Sequence, residues 1–219
     1  MNLEHARFNM IAQQIRPWYV LNDSVLEAIG SIPREDFVPA EFKELAFADV
    51  EIPLEFGENM MFPRVEGRLL QSLTITADDN CLEIGTGSGF LTACLSRMGK
   101  HVDSVDIHEA FTRQAEERLQ ASGLKNYTLH TGDVLRDWNP NQTYDVIAVT
   151  GSVPVYDSRF EELLTPGGRL FMVVGKGSAM HAMLVTRQPD GEFVRTSMFE
   201  TCLKPLVGAE DRSDSTFVF

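Results

Sequence analysis

The feature that most constrains the fold is a regular alternation of apolar runs and helical segments that begins near residue 77. The apolar runs lie at residues 81–84, 102–107, 127–130, 144–150 and 169–174. Strands that alternate with helices form parallel sheets through right-handed crossovers. Pro166-Gly167-Gly168 predicts a turn before the last of these strands, and residues 183–186 and 193–199 predict an antiparallel hairpin. We therefore expect an α/β fold with a doubly wound, mostly parallel, seven-stranded sheet.

Residues 1–76 follow a different pattern, in which short helical segments are separated by prolines. Asn2 is expected to cap a helix that ends at Pro17, and Pro63 is expected to begin another helix. Residues 1–76 are thus predicted to be an N-terminal helical extension, and residues 77–219 the sheet-forming core. Acidic residues 210–214 predict a solvated segment.

Charge and cysteine content exclude several classes of function. The chain has 19 Lys and Arg against 32 Asp and Glu, a net charge of −13, so nucleic acid and membrane surfaces are not expected partners. Three cysteines without a C-x-x-C spacing predict neither disulfides nor a metal site, and favour the cytoplasm. No apolar run is long enough to span a membrane, and the first residues do not predict a signal peptide. No pattern predicts an oligomeric state.

A glycine-rich turn follows the first predicted strand and opens a helix, as in nucleotide-binding sheets. Asp106 ends the next strand, about 20 residues after this turn, and a carboxylate at that position can accept hydrogen bonds from ribose hydroxyls. A dinucleotide fingerprint requires Gly or Ala where Phe90 stands, and Glu83 suits a cationic ligand better than a pyrophosphate. S-adenosylmethionine is therefore favoured over NAD. The predicted contacts are Glu83, Gly85, Thr86, Gly87, Ser88, Gly89, Asp106, Ile107, Asp133 and Val134.

Asp133 allows two interpretations that the sequence leaves open. Its carboxylate can accept a hydrogen bond from an adenine amino group, or it can close the third strand with an Asx turn. The five histidines, at positions 5, 101, 108, 130 and 181, are scattered along the chain and are expected to be ordinary surface or partly buried residues.

Several motifs together resemble the protein-L-isoaspartate O-methyltransferases, a family of class I methyltransferases. The motifs are residues 32–39 (IPREDFVP), 46–49 (AFAD), 52–54 (IPL), 83–89 (EIGTGSG), 104–106 (SVD), 132–133 (GD), 144–150 (YDVIAVT), 164–168 (LTPGG) and 204–207 (KPLV). The resemblance implies a Rossmann-like core that binds S-adenosylmethionine and transfers its methyl group to the carboxylate of an L-isoaspartyl residue in damaged protein. It also implies that Asn59, Met60 and Met61 contact the cofactor, and that Thr150, Pro205, Leu206 and Val207 border the substrate.

The substrate loop departs from the family pattern. Family members usually read Gly-Gln-Thr-Ile-Ser-Gln-Pro, whereas this chain has Asn59 at the Thr position and Met61 at the Ser position. Because both hydroxyls are lost, no residue is predicted as catalytic. Two alternatives therefore stay open beside isoaspartyl methylation: a methyltransferase of the same fold with another acceptor, such as a small molecule, or a protein that binds the cofactor without isoaspartyl activity.

Overall fold

The computed structural model describes residues 2–209, so the predicted solvated segment 210–214 lies outside the described residues. The helices are α1 (Leu3–Met10), α2 (Asp23–Ser31), α3 (Arg34–Phe37), α4 (Pro63–Ser72), α5 (Phe90–Met98), α6 (Glu109–Ala121) and α7 (Arg159–Glu162). The strands are β1 (Ile52–Pro53), β2 (Asn59–Met60), β3 (Asn80–Ile84), β4 (His101–Asp106), β5 (Tyr127–Thr131), β6 (Tyr144–Val153), β7 (Leu164–Lys176), β8 (Ala179–Arg187) and β9 (Phe193–Glu200).

Seven strands form one sheet in the order β5-β4-β3-β6-β7-β8-β9, and β1 and β2 form a separate two-stranded pair. The pairs from β5 to β7 are parallel, whereas β8 runs antiparallel to both of its neighbours. The predicted doubly wound sheet with an antiparallel edge hairpin is therefore confirmed. The order reverses between β3 and β6, and in such sheets ligands bind beyond the carboxyl ends of the strands at this point.

The strands at the centre of the sheet are buried on both faces, as a doubly wound fold requires. Consecutive residues on β3 and β6 alternate between two apolar clusters, one on each face of the sheet. Cys81 and Val146 pack with the N-terminal helices and α5, whereas Leu82 and Ile147 pack with Phe160 of α7. The N-terminal extension thus covers one face of the sheet.

The N-terminal helix begins as predicted, because the Asn2 side chain accepts a hydrogen bond from the His5 amide. Its end differs from an ordinary α-helix. A π-helical turn, Ile11–Ile15, follows α1 and leads into a 3₁₀ turn, Arg16–Trp18, that contains Pro17. Helix α4 begins at Pro63, as predicted. No helix within residues 2–209 combines the length and apolar character needed to cross a membrane.

The turn predicted at Pro166-Gly167-Gly168 is wrong. These residues lie inside β7, which begins at Leu164. The register with β6 shifts between the Tyr144–Leu164 pair and the Val146–Arg169 pair, so the extra residues form a bulge. Proline and glycine are tolerated at a bulge because no regular ladder hydrogen bond is required there, and the local pattern does not distinguish a bulge from a turn.

Candidate functional site

A cleft of about 1030 Å³ lies beyond the carboxyl ends of β3, β4 and β6. Three segments contribute to its walls. They are the glycine turn (residues 85–89), the substrate loop (residues 57–63) and a segment after β9 that we call the strap (residues 203–207). The cleft is therefore built where the strand order of the sheet reverses, as the sequence predicts for a nucleotide-like ligand.

The glycine turn adopts a conformation that side chains would obstruct. Gly85 has a φ of +97°, and a Cβ atom built on it would lie 2.2 Å from the Thr150 hydroxyl oxygen. That hydroxyl donates to the carbonyl oxygens of Ile84 and Gly85, both at 2.9 Å. Gly87 donates its amide to the Asp106 carboxylate at 2.9 Å. The turn is thus fixed against the ends of β4 and β6, with its backbone open to the cleft.

Thr86 and fifteen more of the predicted cofactor and substrate residues, sixteen in all, come together on the walls of this cleft. The other fifteen are Asn59, Met60, Met61, Glu83, Gly85, Gly87, Ser88, Asp106, Ile107, Asp133, Val134, Thr150, Pro205, Leu206 and Val207. Gly89 is not part of the lining. It precedes α5 with a φ of +84°, and a Cβ atom there would lie 2.8 Å from the Ala115 Cβ atom, so close packing against α6 requires this glycine.

Glu83 is completely buried at the end of β3 and lines the cleft. Its Oε2 atom accepts hydrogen bonds from the hydroxyls of Thr92 and Ser104, whereas its Oε1 atom is buried without a partner. Burial raises the pKa of Glu83 to about 8, although the two hydroxyl donors act in the opposite direction. A buried carboxylate oxygen without a partner fits a ligand that brings a positive charge or a hydrogen-bond donor.

Asp106 is the last residue of β4, Asp133 lies two residues beyond the end of the neighbouring β5, and both face the same cleft. Asp106 accepts backbone hydrogen bonds from Gly87 and His108, each at 2.9 Å, and burial raises its pKa despite them. Asp133 accepts from the Leu135 amide at 2.8 Å, which forms the Asx turn that one interpretation predicted. A contact between Asp133 and adenine stays a prediction.

The substrate loop is anchored at both ends by backbone pairing and by a buried ion pair. Met60 pairs with Ile52 in the β1–β2 ladder, and the Leu54 amide donates to the Glu58 carbonyl oxygen at 2.7 Å. Buried Arg34 donates to the Met61 carbonyl oxygen at 3.3 Å and lies 2.5 Å from Glu66. Burial raises the pKa of Glu66 to about 7, although Arg34 lowers it.

Met60 and Met61 belong to the apolar core and line the cleft as well. The loop geometry thus gives these two side chains a place in the core and on the cleft wall at once. Met60 is 4% exposed and Met61 is 7% exposed, so their side chains form a dry wall between the core and the cleft. Asn59 beside them is exposed and retains an amide that can donate hydrogen bonds.

The strap is held to the end of β6 by main-chain hydrogen bonds around Ser152. The Ser152 amide donates to the Lys204 carbonyl oxygen and its own carbonyl accepts from the Leu206 amide, both at 2.9 Å. The Ser152 hydroxyl donates to the Leu203 carbonyl oxygen at 2.8 Å. The position of the strap therefore depends on its backbone and not on the Lys204 side chain.

Several titratable residues of the cleft were not predicted as site residues, among them Glu58, Lys204 and His108. Lys204 reaches from the strap to the substrate loop and lies 2.5 Å from the Glu58 carboxylate. The His108 ring stacks on Phe56 with centroids 4.3 Å apart, and its Nε2 atom is buried without a partner. His108 follows Asp106 by two residues, and Lys204 precedes the predicted Pro205, so proximity to predicted site residues was the available signal.

Comparisons with known proteins agree with this geometry. A family model described as protein-L-isoaspartate(D-aspartate) O-methyltransferase matches residues 5–211. Protein-L-isoaspartate O-methyltransferase 2 of Pelobacter propionicus is 34% identical over 210 residues, which cover 95% of this chain and 93% of the relative. The corresponding Brucella anthropi protein is 30% identical over 208 residues, which cover 94% of this chain and 95% of the relative.

Two solved structures share the fold. One is a Plasmodium falciparum chain assigned as a protein-L-isoaspartate O-methyltransferase, in complex with S-adenosyl-L-homocysteine. It has a TM-score of 0.78 and 16% identity, and the match covers 94% of this chain and 98% of that one. The other is a protein-L-isoaspartate O-methyltransferase with a TM-score of 0.75 and 22% identity, matched over 94% of this chain and 66% of that one.

The sheet order, the glycine turn and the cleft define a class I methyltransferase fold. Within that class, the chain belongs to the protein-L-isoaspartate(D-aspartate) O-methyltransferase family. Members of this family are enzymes that use S-adenosylmethionine, and this chain is such an enzyme. The predictions of the family, the enzyme class and the cofactor are therefore confirmed.

Glu83 leads to a prediction about proton release. Its pKa of about 8 leaves it mostly protonated at pH 7, and a cationic ligand beside it favours the ionised form. We expect S-adenosylmethionine binding at pH 7 to release most of one proton, measured by titration calorimetry in buffers of different ionisation enthalpy. Glu83→Gln should remove this proton release, and equal proton release by both proteins would contradict the prediction.

Without ligand, the same group makes stability depend on pH. Glu83 ionises at an ordinary pKa of 4.5 when unfolded and at about 8 when folded. The stabilisation from its neutral form is therefore complete below pH 4.5 and is lost as pH rises through 8. Denaturant unfolding across this range should show a shallower decline in the free energy of unfolding for Glu83→Gln than for the unmodified chain. Equal slopes would contradict the prediction.

Proposed function

We propose that this chain methylates the free carboxylate of an L-isoaspartyl residue in damaged protein or peptide. The observation that supports the proposal is that the glycine turn, the substrate loop and the strap line the same cleft. The unpartnered Glu83 oxygen lies on the turn side, where it fits the positive charge of the cofactor, and the acceptor would enter beside Asn59.

The residues of the cleft are sufficient for this chemistry without a general base. A carboxylate has an ordinary pKa of about 4 and is already ionised at neutral pH, so no proton must be removed. S-adenosylmethionine, when bound, supplies the methyl group: the S–CH₃ bond breaks, an O–CH₃ bond forms, and S-adenosylhomocysteine leaves. The work of the protein is to hold the oxygen in line with the methyl group and to exclude water, and Met60 and Met61 provide the dry wall.

A second candidate function is methylation of a less polar acceptor by the same cleft. Met61 favours it, because a thioether cannot donate the hydrogen bond that a serine hydroxyl would give to a carboxylate.

The cytoplasmic location and the lack of nucleic-acid or membrane partners stay predictions from composition and cysteine usage.

Methyl transfer to matched peptides tests the proposal. The chain is incubated with labelled S-adenosylmethionine and a peptide that contains either one L-isoaspartyl residue or aspartate at the same position. Transfer to the isoaspartyl peptide alone, as a base-labile ester, is the expected result. Transfer to neither peptide, or equally to both, would contradict the proposed substrate, even if the cofactor binds.

The altered loop predicts a gain of activity on restoration of the hydroxyls. A hydrogen bond to a charged group contributes about 1.5–3 kcal/mol, so Asn59→Thr/Met61→Ser should raise isoaspartyl kcat/KM by about one to two powers of ten. The loss of a buried thioether should lower the free energy of unfolding by about 2 kcal/mol, which denaturant unfolding measures.

A matched control separates loop chemistry from lost packing. Met183→Ser removes a half-buried methionine of β8 outside the cleft and should leave kcat/KM unchanged. If the double loop variant folds and is no more active than the unmodified chain, the missing hydroxyls do not limit isoaspartyl activity.

A further inference from the structure

Most of the charged residues that line the cleft are acidic. Six of its lining residues carry carboxylates, namely Glu51, Glu58, Glu66, Glu83, Asp106 and Asp133. Among the described residues that line the cleft, Lys204 is the single lysine or arginine. Those of the carboxyl groups that are ionised repel an acceptor with a free carboxylate, and Lys204 is the lining side chain whose charge attracts it.

Lys204 is engaged by the substrate loop in the structure. Its Nζ atom lies 2.5 Å from the Glu58 Oε1 atom and 3.0 Å from the Gly57 carbonyl oxygen. The Lys204 side chain is 40% exposed and that of Glu58 is 20% exposed, so the pair stands at the solvent edge of the cleft. The loop and the strap are therefore linked across the cleft by a carboxylate bound to the lysine.

We propose, on the basis of the proposed function, that the Glu58 carboxylate occupies the position on Lys204 at which the carboxylate of the acceptor binds. An arriving acceptor exchanges with Glu58, so that Lys204 binds the acceptor and selects for an anionic one. Glu58 is then an internal competitor that keeps the loop joined to the strap until the acceptor enters. Lys204 thereby replaces part of the attraction that the loop hydroxyls supply elsewhere in the family.

The exchange requires only side-chain movement. The Glu58 amide donates to the Glu55 carbonyl oxygen at 3.1 Å, and the Glu58 carbonyl accepts from Leu54 at 2.7 Å, so the loop backbone stays fixed. The Lys204 backbone is held by Ser152. Exchange of one carboxylate for another preserves the charge pairing of the lysine, and the long lysine side chain is flexible enough to follow the acceptor.

Steady-state kinetics with the isoaspartyl peptide tests the exchange. Lys204→Met should raise KM for the peptide at least about tenfold, and Glu58→Gln should lower it about threefold to tenfold. Lys204→Arg keeps the charge and should stay within about threefold of the unmodified chain. Calorimetry should give the same S-adenosylmethionine affinity for all three variants, and thermal unfolding confirms that each is folded.

A matched control and a double variant separate exchange from simple repulsion. Lys43–Asp36 is an exposed ion pair outside the cleft, and Lys43→Met should leave KM unchanged. In the Lys204→Met background, Glu58→Gln should give a smaller gain, because it then relieves only the repulsion and no longer frees the lysine. An equal gain in both backgrounds, or no effect of either single variant on KM, would overturn the proposal.

The proposal and the proposed function fail in distinguishable ways. If the unmodified chain methylates the isoaspartyl peptide but the variants leave KM unchanged, the exchange is wrong and the substrate assignment stands. If the unmodified chain shows no transfer, peptide binding to the chain loaded with S-adenosylhomocysteine is measured by fluorescence anisotropy. A gain in binding for Glu58→Gln that requires Lys204 would then support the exchange, and no gain would overturn it.

Discussion

Replacement of Gly85 by alanine is expected to reduce S-adenosylmethionine affinity by at least about 100-fold, because the turn cannot keep its shape with a side chain. The new Cβ atom would lie 2.2 Å from the Thr150 hydroxyl oxygen. Thr150 would have to rotate and lose its hydrogen bonds to Ile84 and Gly85. The backbone would also leave its φ of +97°, which moves the amides that line the cleft.

Gly123→Ala is the matched control for this variant. Gly123 follows α6 with a φ of +73°, but a Cβ atom there meets nothing within 4 Å. It should cost about 1 kcal/mol of stability through backbone strain alone and leave the cofactor affinity unchanged. If Gly85→Ala is folded and binds the cofactor within threefold of the unmodified chain, the glycine turn is not the cofactor site.

Arg34→Met is expected to lower the free energy of unfolding by about 3–5 kcal/mol, because it leaves the buried Glu66 without its partner. Arg34 is 1% exposed, donates to the Ala46 carbonyl oxygen at 3.0 Å and stacks on Phe90. The Met61 carbonyl would also lose its donor, so the substrate loop should loosen. Denaturant unfolding measures the stability, and hydrogen exchange of residues 57–63 measures the loop.

Two comparisons make this prediction specific to the buried pair. Lys43→Met breaks the Lys43–Asp36 pair, whose side chains are 54% and 61% exposed, and should cost no more than about 1 kcal/mol. Arg34→Met/Glu66→Gln should recover part of the loss, since no buried charge is left unpaired. An Arg34→Met variant as stable as the Lys43→Met variant would show that the buried pair does not stabilise the fold.

The sheet was predictable from sequence because its signals are local. Each strand is a short apolar run between turn residues, and the glycine turn marks where the first strand meets its helix. The bulge in β7 was not predictable, because Pro166-Gly167-Gly168 has the composition of a turn. The π-helical turn Ile11–Ile15 also lacks a local signal, since the apolar pattern of that segment fits an α-helix equally well.

The cofactor side of the cleft was predictable for the same reason, because it is built from the ends of consecutive strands. The ion pairs at the substrate loop were not predictable, since they join residues far apart in sequence. Glu58 and Lys204 are separated by 146 positions, and Arg34 and Glu66 by 32. Whether a carboxylate is buried, paired or free in such a site depends on the packing of several elements, which no local pattern encodes.

We infer that the glycine turn and the residues around it bind S-adenosylmethionine. Calorimetric titration of the purified, folded chain with S-adenosylmethionine tests it most directly. The account predicts saturable binding at a single site with a dissociation constant between about 1 μM and 1 mM, the range common for enzyme substrates, and loss of this binding in Gly85→Ala. The absence of binding at millimolar cofactor would contradict it.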